Sequence, residues 1–452
     1  MRALALMRMR RKDMALKNYL PNHAYAESFA EDKKNLPGSD LDWLEKSRTA
    51  ALEKFTQQGF PGPNVEEWKY SNLNNLCRST YGISVPGRAE AEITDLYEKA
   101  HLKGLDAVEL VFVNGYYHEG LSTKAWPKNC EIRVFSQNPE SFKPLLKQTN
   151  DQNSLHNLNQ ALMTDGLFVK VSAGQKVEKP LHVIHLITAD MDQKAVRLFN
   201  QIIVEKNAAL NMVETCLGVD QSDYWSHMRS DIKLGPDARL SHFQLQLQGN
   251  QAKHMCDIAA DTAQGTYFQQ LSLQLGAEMS RTEIHSSLTG EEARLDLGGA
   301  SLARAGQSHD ILTTTGHDMP HCQSDQLYRM VIDKDSKGAF QGKVIVAKDA
   351  QKTNANQSCK SLLLDRKAEA NAKPELLIYA DDVKCTHGAT VGELDKDQLF
   401  YLKSRGLDER AAKSLLVEAF VAEVFDPLQD DALKQAFKDH VAGWLSQKEM
   451  KS

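Results

Sequence analysis

Three stretches of the chain differ in the period of their apolar positions. Up to about residue 104 the signals are helical. Ser39 and Asp40 stand as N-caps behind the breaker pair Pro37 and Gly38, and Leu41, Leu44, Ala51 and Phe55 recur at helical spacing. The stretch FPGPN (60–64) ends that unit. EEWKYSNL (66–73) follows, one Trp and one Tyr among polar residues, and reads as an aromatic anchor for a loop.

The period changes at about residue 105. VELVFVNG, EIRVF, GLFVKV, PLHVIHLI and VRLFNQIIVE are rich in β-branched and aromatic residues and predict strands. A repeat of polar turn, small residue and strand then appears in KNAALNMVETCLG (206–218), PDARLSHFQLQLQG (236–249), QGTYFQQLSLQLG (264–276) and EEARLDLGGASLA (291–303). Its large residues Leu210, Leu240, Phe268 and Leu295 recur at intervals of 30, 28 and 27. A drifting period of that size predicts a β-solenoid, in which each coil stacks on the next. A β-sandwich also has many short strands, but its turns need not recur at a fixed period. The pattern runs on through GAFQGKVIVAKDAQKT (338–353), where Lys352 and Thr353 read as a turn, to PELLIYADDVKCTHGATVG (374–392).

Beyond Gly392 the period is helical again. Asp395 is placed to cap a helix with Gln398 reaching back, Phe400 and Leu402 face inward, and Gly406 closes it. Asp408 opens a second helix carrying Leu415, Leu416, Ala419, Phe420 and Val424, stopped by Asp426 and Pro427. A third, 431–446, sets Leu433, Ala436, Phe437, Val441 and Trp444 on one stripe. The expected fold is mainly β, with a β-solenoid core over 105–392. An N-terminal helical region (14–104) and a C-terminal one (393–452) flank it. Residues 1–13 are expected to be a disordered extension or a stretch ahead of the true start at Met14.

Composition acts mainly by exclusion. The 452 residues are 41% hydrophobic and 25% charged, ordinary for a globular chain with room for two or three cores. A balance of 54 basic against 60 acidic side chains gives −6, so no basic field is directed at nucleic acid or membrane. No apolar run exceeds five residues, whereas a membrane helix needs about 20. The run from Ala3 to Met7 is too short for the apolar region of a secretory signal. Of seven cysteines the closest two, Cys359 and Cys385, lie 26 apart, which excludes a disulfide framework and a self-contained CxxC site. A reducing cytosol is the expected compartment.

Neither GxxxxGK[ST] nor a GxGxxG between strand and helix is present, so the chain is not expected to bind nucleotide; GxSxG is absent too. The sharpest local feature is DDVKCTHG (381–388). If the strand from Leu376 continues through it, alternation sets Asp381, Val383, Cys385 and His387 on one face. A thiolate and an imidazole two residues apart can reach one soft or borderline metal. A buried Cys and a hydrogen-bonded His at a strand end is the competing reading. Two ligands cannot close a metal site; if Cys385 and His387 bind iron, the remaining ligands must come from elsewhere, and a partner subunit is the natural source. The second cluster, HDMPHC (317–322), contains Pro320 and so is not the HxxxH of a zinc enzyme; it reads as a polar loop at the solenoid edge. His182 and His185 fall on opposite faces of their strand, and Cys77, Cys130, Cys216 and Cys256 read as single core thiols.

Three segments carry a family resemblance: YRMVIDKDSKGAFQGKVIVAKDAQKTNANQS (328–358), LLLDRKAEANAKPELLIYADDVKCTHGATVGELDKDQLFYLKSRGL (362–407) and AAKSLLVEAF (411–420). In this order they resemble the SufB/SufD family of iron–sulfur cluster assembly scaffolds, and EEWKYSNL resembles that family's EEW-aromatic motif. The resemblance implies a right-handed parallel β-helix and a heterodimer with a SufB-like homologue. It also implies a SufC-like ATPase docked through the C-terminal helices and a transient iron–sulfur cluster at the interface, with sulfur arriving through SufB. DVKCTHGAT matches the motif at which His387 faces a SufB cysteine, with Cys385 the neighbouring thiol. The chain has no cysteine pair close enough for the N-terminal CxxCxxxC of many SufB-type chains. Nothing comparable lifts His317, His321 or Cys322. A non-catalytic scaffold is therefore expected, with a homodimer as the alternative when SufB is absent. Two other readings are a stand-alone β-helix enzyme on polysaccharide and a SufB-like sulfur acceptor. The first needs carboxylates clustered along a groove, where these repeats carry Gln and Leu; the second predicts persulfide on Cys385.

Overall fold

The drifting repeat is a stack in register. In the computed structural model, which describes residues 24–62, 64–71, 73, 76–77, 79–146 and 153–446, Leu210, Leu240, Phe268 and Leu295 are Cα partners in successive parallel strands. All four are buried in one apolar core. The expectation for residues 1–13 lies outside the described residues.

Successive strands alternate between two ten-stranded sheets, so each coil contributes one strand to each. The first sheet stacks Lys194–Val204, Trp225–Leu234, Lys253–Thr262, Met279–Leu288, Ser308–His317, Lys337–Val346 and Glu369–Ile378. The second stacks Leu181–Ile187, Ala209–Gly218, Arg239–Leu247, Tyr267–Gln274, Arg294–Ala303, Gln323–Ile332, Asn354–Leu363 and Lys384–Glu393. This is a parallel β-solenoid, as the period predicts.

The corners explain the turn-plus-small-residue signature. Asn207, Asp237, Glu292, His321 and Lys352 each take a left-handed conformation, and Gly265 supplies it where the turn reads QG. The next residue must fit against the coil below. Ala208, Ala238, Thr266, Ala293, Cys322 and Thr353 fill that slot, all buried. Corner amides also bond from coil to coil, Asn207 N to Pro236 O, Asp237 N to Gln264 O and Lys352 N to Asp382 O.

The helices cover the outer faces of the sheets. Helix α1 (Asp42–Gln58) packs with Trp68 over Trp225 and Met255 of the first sheet. Its predicted caps are not used: Leu41 occupies the N-cap with no side-chain bond, and Asp42 and Glu45 meet the positive end of the dipole instead. Helix α2 (Glu90–Ala100) buries Ile93, Leu96 and Ala100 against Val111, Val113, Ile184 and Leu186. Helix α3 (Ser154–Leu162) interrupts the region read as strands, and antiparallel pairs at Val108–Val113 with Tyr116–Tyr117 and at Cys130–Val134 with Leu167–Val171 precede the regular coils.

The EEW motif is an anchor. Trp68 lies 3.9 Å over the guanidinium of Arg281 in the first sheet, and Glu67 O accepts from Arg281 Nη2 at 2.8 Å and from Gln341 Nε2 at 3.0 Å. Arg281 also pairs with Glu283 (Nε to Oε1, 2.6 Å) and Asp310, and its Nη1 donates to Ser71. Burial opposes that charge, but the two carboxylates outweigh it and raise its pKa.

At the C-terminus, helices α4 (Lys396–Ser404), α5 (Glu409–Ala422) and α6 (Asp431–Ser446) follow the last strand. Asp395 caps α4 by accepting from Asp397 N and Gln398 N, and Asp408 caps α5 by accepting from Ala411 N. The stripe on α6 is buried as expected at Leu433, Phe437, Val441 and Trp444. Two inward assignments need correction. Phe400 is 75% exposed because α4 buries none of its residues. On α5 the buried face is Ala412, Val417 and Val421, leading to Val424, while Leu415 and Ala419 are exposed. Among the described residues no helix is long and apolar enough to cross a membrane.

Candidate functional site

Among the described residues nothing pairs with the outer edges of the last two strands of the solenoid. Glu369–Ile378 and Lys384–Glu393 each have one hydrogen-bonded neighbour, so one edge of each is open. The rows that end in Ile378 and Val391 are buried in the coils below and uncovered here; both residues are exposed, as are Leu377 and, in the corner, Tyr379 at 64%.

The strand from Leu376 does not run through the DDVKCTHG segment. It ends at Ile378 in the first sheet, and Lys384 begins a new strand in the second. Asp381 and Asp382 therefore lie in the corner, where Asp382 pairs with Lys352 and its amide donates to Gln351 Oε1 at 2.9 Å. Asp381 and Val383 leave the alternating set; Cys385 and His387 remain together in one strand.

Register shows which way they face. Cys385 is the Cα partner of Ala355, continuing the inward row of Leu210, Leu240, Phe268, Leu295 and Ser324. His387 is the partner of Gln357, continuing the row of Met212, His242, Gln270, Leu297 and Gln326. Both side chains point along the interior at the open end. Cys385 is half-buried and His387 exposed. Between them Thr386 faces outward, its hydroxyl donating to Asn356 Oδ1 at 2.8 Å, which holds the strand in place. Burial raises the Cys385 pKa, so in the lone chain it is a thiol rather than a thiolate. An imidazole and a thiol on one inward face can give a soft metal two ligands. Among the described residues no group of three or more His, Cys, Asp and Glu is arranged to hold a metal ion.

The HDMPHC segment is a corner. His317 ends a strand, buried, with Nε2 2.9 Å from Ser324 Oγ; His321 is the left-handed residue; Cys322 fills the small-residue slot. The polar-loop reading holds, and no metal site is assembled there. His182 and His185 do lie on opposite faces, the first 2.9 Å from Thr215 Oγ1 and the second stacked on Phe112. All seven cysteines are unpaired.

One feature is missed by sequence reasoning: part of the interior is polar. In FQLQLQ it is Gln244 and Gln246 that face inward, while Phe243 and Leu245 face outward beneath α5 and α6. Gln244 Nε2 donates to the buried Glu214 at 2.7 Å, and Gln270 Nε2 to Gln244 Oε1 at 3.1 Å. Burial works against the Glu214 charge, but His242, His185 and Gln244 bring its pKa down to about 2. A second amide row, Gln326 and Gln357, leads to His387. The signal was the strict Gln alternation, which does not by itself name the inner face.

The family described as "SUF system FeS cluster assembly, SufBD core domain" matches residues 186–420, and "SufBD protein N-terminal region" matches 20–183. The chain is 29% identical to an iron–sulfur cluster assembly SufBD family protein of Synechocystis, covering 86% of this chain and 89% of the relative. It is also 29% identical to the iron–sulfur cluster assembly protein SufD of Escherichia coli, over 85% of this chain and 89% of that protein. A Pyrococcus horikoshii SufBD family protein is 25% identical over 84% of this chain and 88% of its own length.

Proposed function

The chain belongs to the SufBD family of the SUF iron–sulfur cluster assembly system, and from that membership we propose that it is a non-catalytic scaffold subunit. It pairs with a SufB-like homologue through the open end of its solenoid and forms part of a site where a cluster is assembled as cargo. The observation that carries this reading is the position of Cys385 and His387. They are inward residues of the last coil, two ligands short of a closed site, beside two unpaired strand edges. A homologous solenoid seated on that end would bury both and supply the remaining ligands. His387 is the metal ligand offered by this chain, and Cys385 offers a second or lines the interface. A second copy of the chain can take the same place when the homologue is absent.

A SufC-like ATPase docks on the C-terminal helices, where Phe400, Tyr401 and Leu415 are exposed on α4 and α5. Seven free cysteines suit a reducing cytosol. The polysaccharide reading loses its groove, because helices cover the outer face of the second sheet and the inward carboxylate Glu214 is sealed.

The test is co-purification with SufB-like and SufC-like proteins, then iron and sulfide content for the parent and His387→Ala. The expected result is an intact complex that loses its cluster in the variant. A stoichiometric cluster on the isolated chain, or normal assembly by His387→Ala, would overturn the assignment.

A further inference from the structure

We propose that Gln357 is the positioning residue for His387, fixing which ring nitrogen carries the proton. This inference rests on the reading of His387 above and deepens it. Gln357 and His387 are Cα partners in adjacent strands, both pointing inward, and Gln357 is 1% exposed.

In this structure the Gln357 amide is bonded from below. Thr313 Oγ1 donates to Gln326 Oε1 at 2.8 Å, while Gln326 Nε2 donates to Thr315 Oγ1 at 3.2 Å. That arrangement turns the Gln326 carbonyl toward the next coil, where it accepts from Gln357 Nε2 at 3.2 Å. The amino group of Gln357 is thus committed downward. Its carbonyl oxygen, Oε1, is buried and has no partner. A buried carbonyl without a donor is unfavourable, and native folds rarely leave one without a reason.

The opposite sheet keeps room for this amide. A Cβ on Gly342 would lie 2.1 Å from Gln357 Nε2 and 2.6 Å from its Cδ, so glycine is needed at that position to leave the amide where it is. The next inward side chain on the Gln357 row is His387, and its ring can turn an N–H onto the waiting carbonyl. That bond assigns the proton to one nitrogen and leaves the lone pair of the other facing the open end, where a metal would be met. An amide does not titrate in the neutral range, so the orientation persists across pH.

The full chain labelled with 15N-histidine reports the tautomer directly by NMR at pH 8. The parent should show His387, assigned by its loss in His387→Ala, as a single neutral tautomer. A mixture of the two in the parent overturns the inference without any variant at 357. Gln357→Leu should give mixed tautomers, and iron retention in the complex with the SufB-like partner should fall about tenfold or more. Gln357→Glu keeps an acceptor and should restore one tautomer. Gly342→Ala displaces the amide with residue 357 intact and should reproduce the Leu variant, which covers the case in which Gln357→Leu fails to fold. If His387→Ala abolishes the cluster while Gln357→Leu and Gly342→Ala leave tautomer and iron unchanged, positioning is refuted and the His387 reading stands. If His387→Ala assembles clusters normally, the reading of His387 itself has failed, and the inference falls with it.

Discussion

Replacing Arg281 with methionine tests how the N-terminal region is held to the solenoid. The guanidinium touches Glu283, Asp310, Ser71 and the Glu67 carbonyl, with Trp68 stacked above it. Methionine keeps most of the stem and its contact with Trp68, so the cavity cost is small. What is lost is the cation between two carboxylates whose side chains are 2% and 7% exposed. Breaking a buried pair from one side costs about 3–5 kcal/mol. The hydrogen bonds to Glu67 and Ser71 are included in that figure, since they share the same group. Burial already raises the Asp310 pKa, with Arg281 holding it back. Without that restraint the carboxyl rises further, and the folded variant binds a proton that the unfolded chain releases. The deficit should therefore narrow as the pH falls from 7 toward 5. Urea melts of parent and variant at both pH values measure this, with proteolysis at the N-terminal region as a second readout. Combining Arg281→Met with Asp310→Asn and Glu283→Gln should recover much of the loss, because a neutral set leaves no unpaired charge. A deficit under about 1 kcal/mol, or a triple variant weaker than the single one, would refute the reasoning.

Two further outcomes follow from the same structure. Burial holds His185, His309 and His317 near pKa 4 and His254 near 3, below the ordinary value of about 6.5. The unfolded chain takes up these protons first, so stability present above pH 6.5 is lost as the pH falls toward 4. The slope is at most about 1.4 kcal/mol per pH unit for each histidine; thermal midpoints that stay level from pH 7 to 4 would contradict it. Leu377→Lys on the open edge should leave the monomer within about 0.5 kcal/mol of the parent, since the side chain is already exposed. It should nonetheless abolish pairing with the SufB-like partner in sedimentation velocity, and unchanged pairing would move the interface elsewhere.

The stack was legible because residues that lie above one another must match. Leu210, Leu240, Phe268 and Leu295 recur at the intervals that their Cα pairing shows. The inner face was not legible in FQLQLQ, because helices bury the outer face as well and alternation then separates two interiors. Helix α3 does show helical spacing at Leu155, Leu158 and Leu162, but it is nine residues long and stands between runs whose β-branched residues dominate the pattern. An apolar residue such as Phe400 on a helix suggests a core, and α4 has none to pack on. At the site, the shared face of Cys385 and His387 followed from their spacing. Its openness did not, since spacing does not say which coil is the last.

Each coil is supported by its two neighbours, and the final one by a single neighbour. In such a linear array, opening starts at the termini and moves inward step by step. Amide exchange should be fastest along Lys384–Glu393 and slow progressively toward the middle of the stack. A companion seated there halts the fraying, so its arrival and the closing of the site become a single event. The protein then has a built-in sequence in time: partnership first, metal capture second.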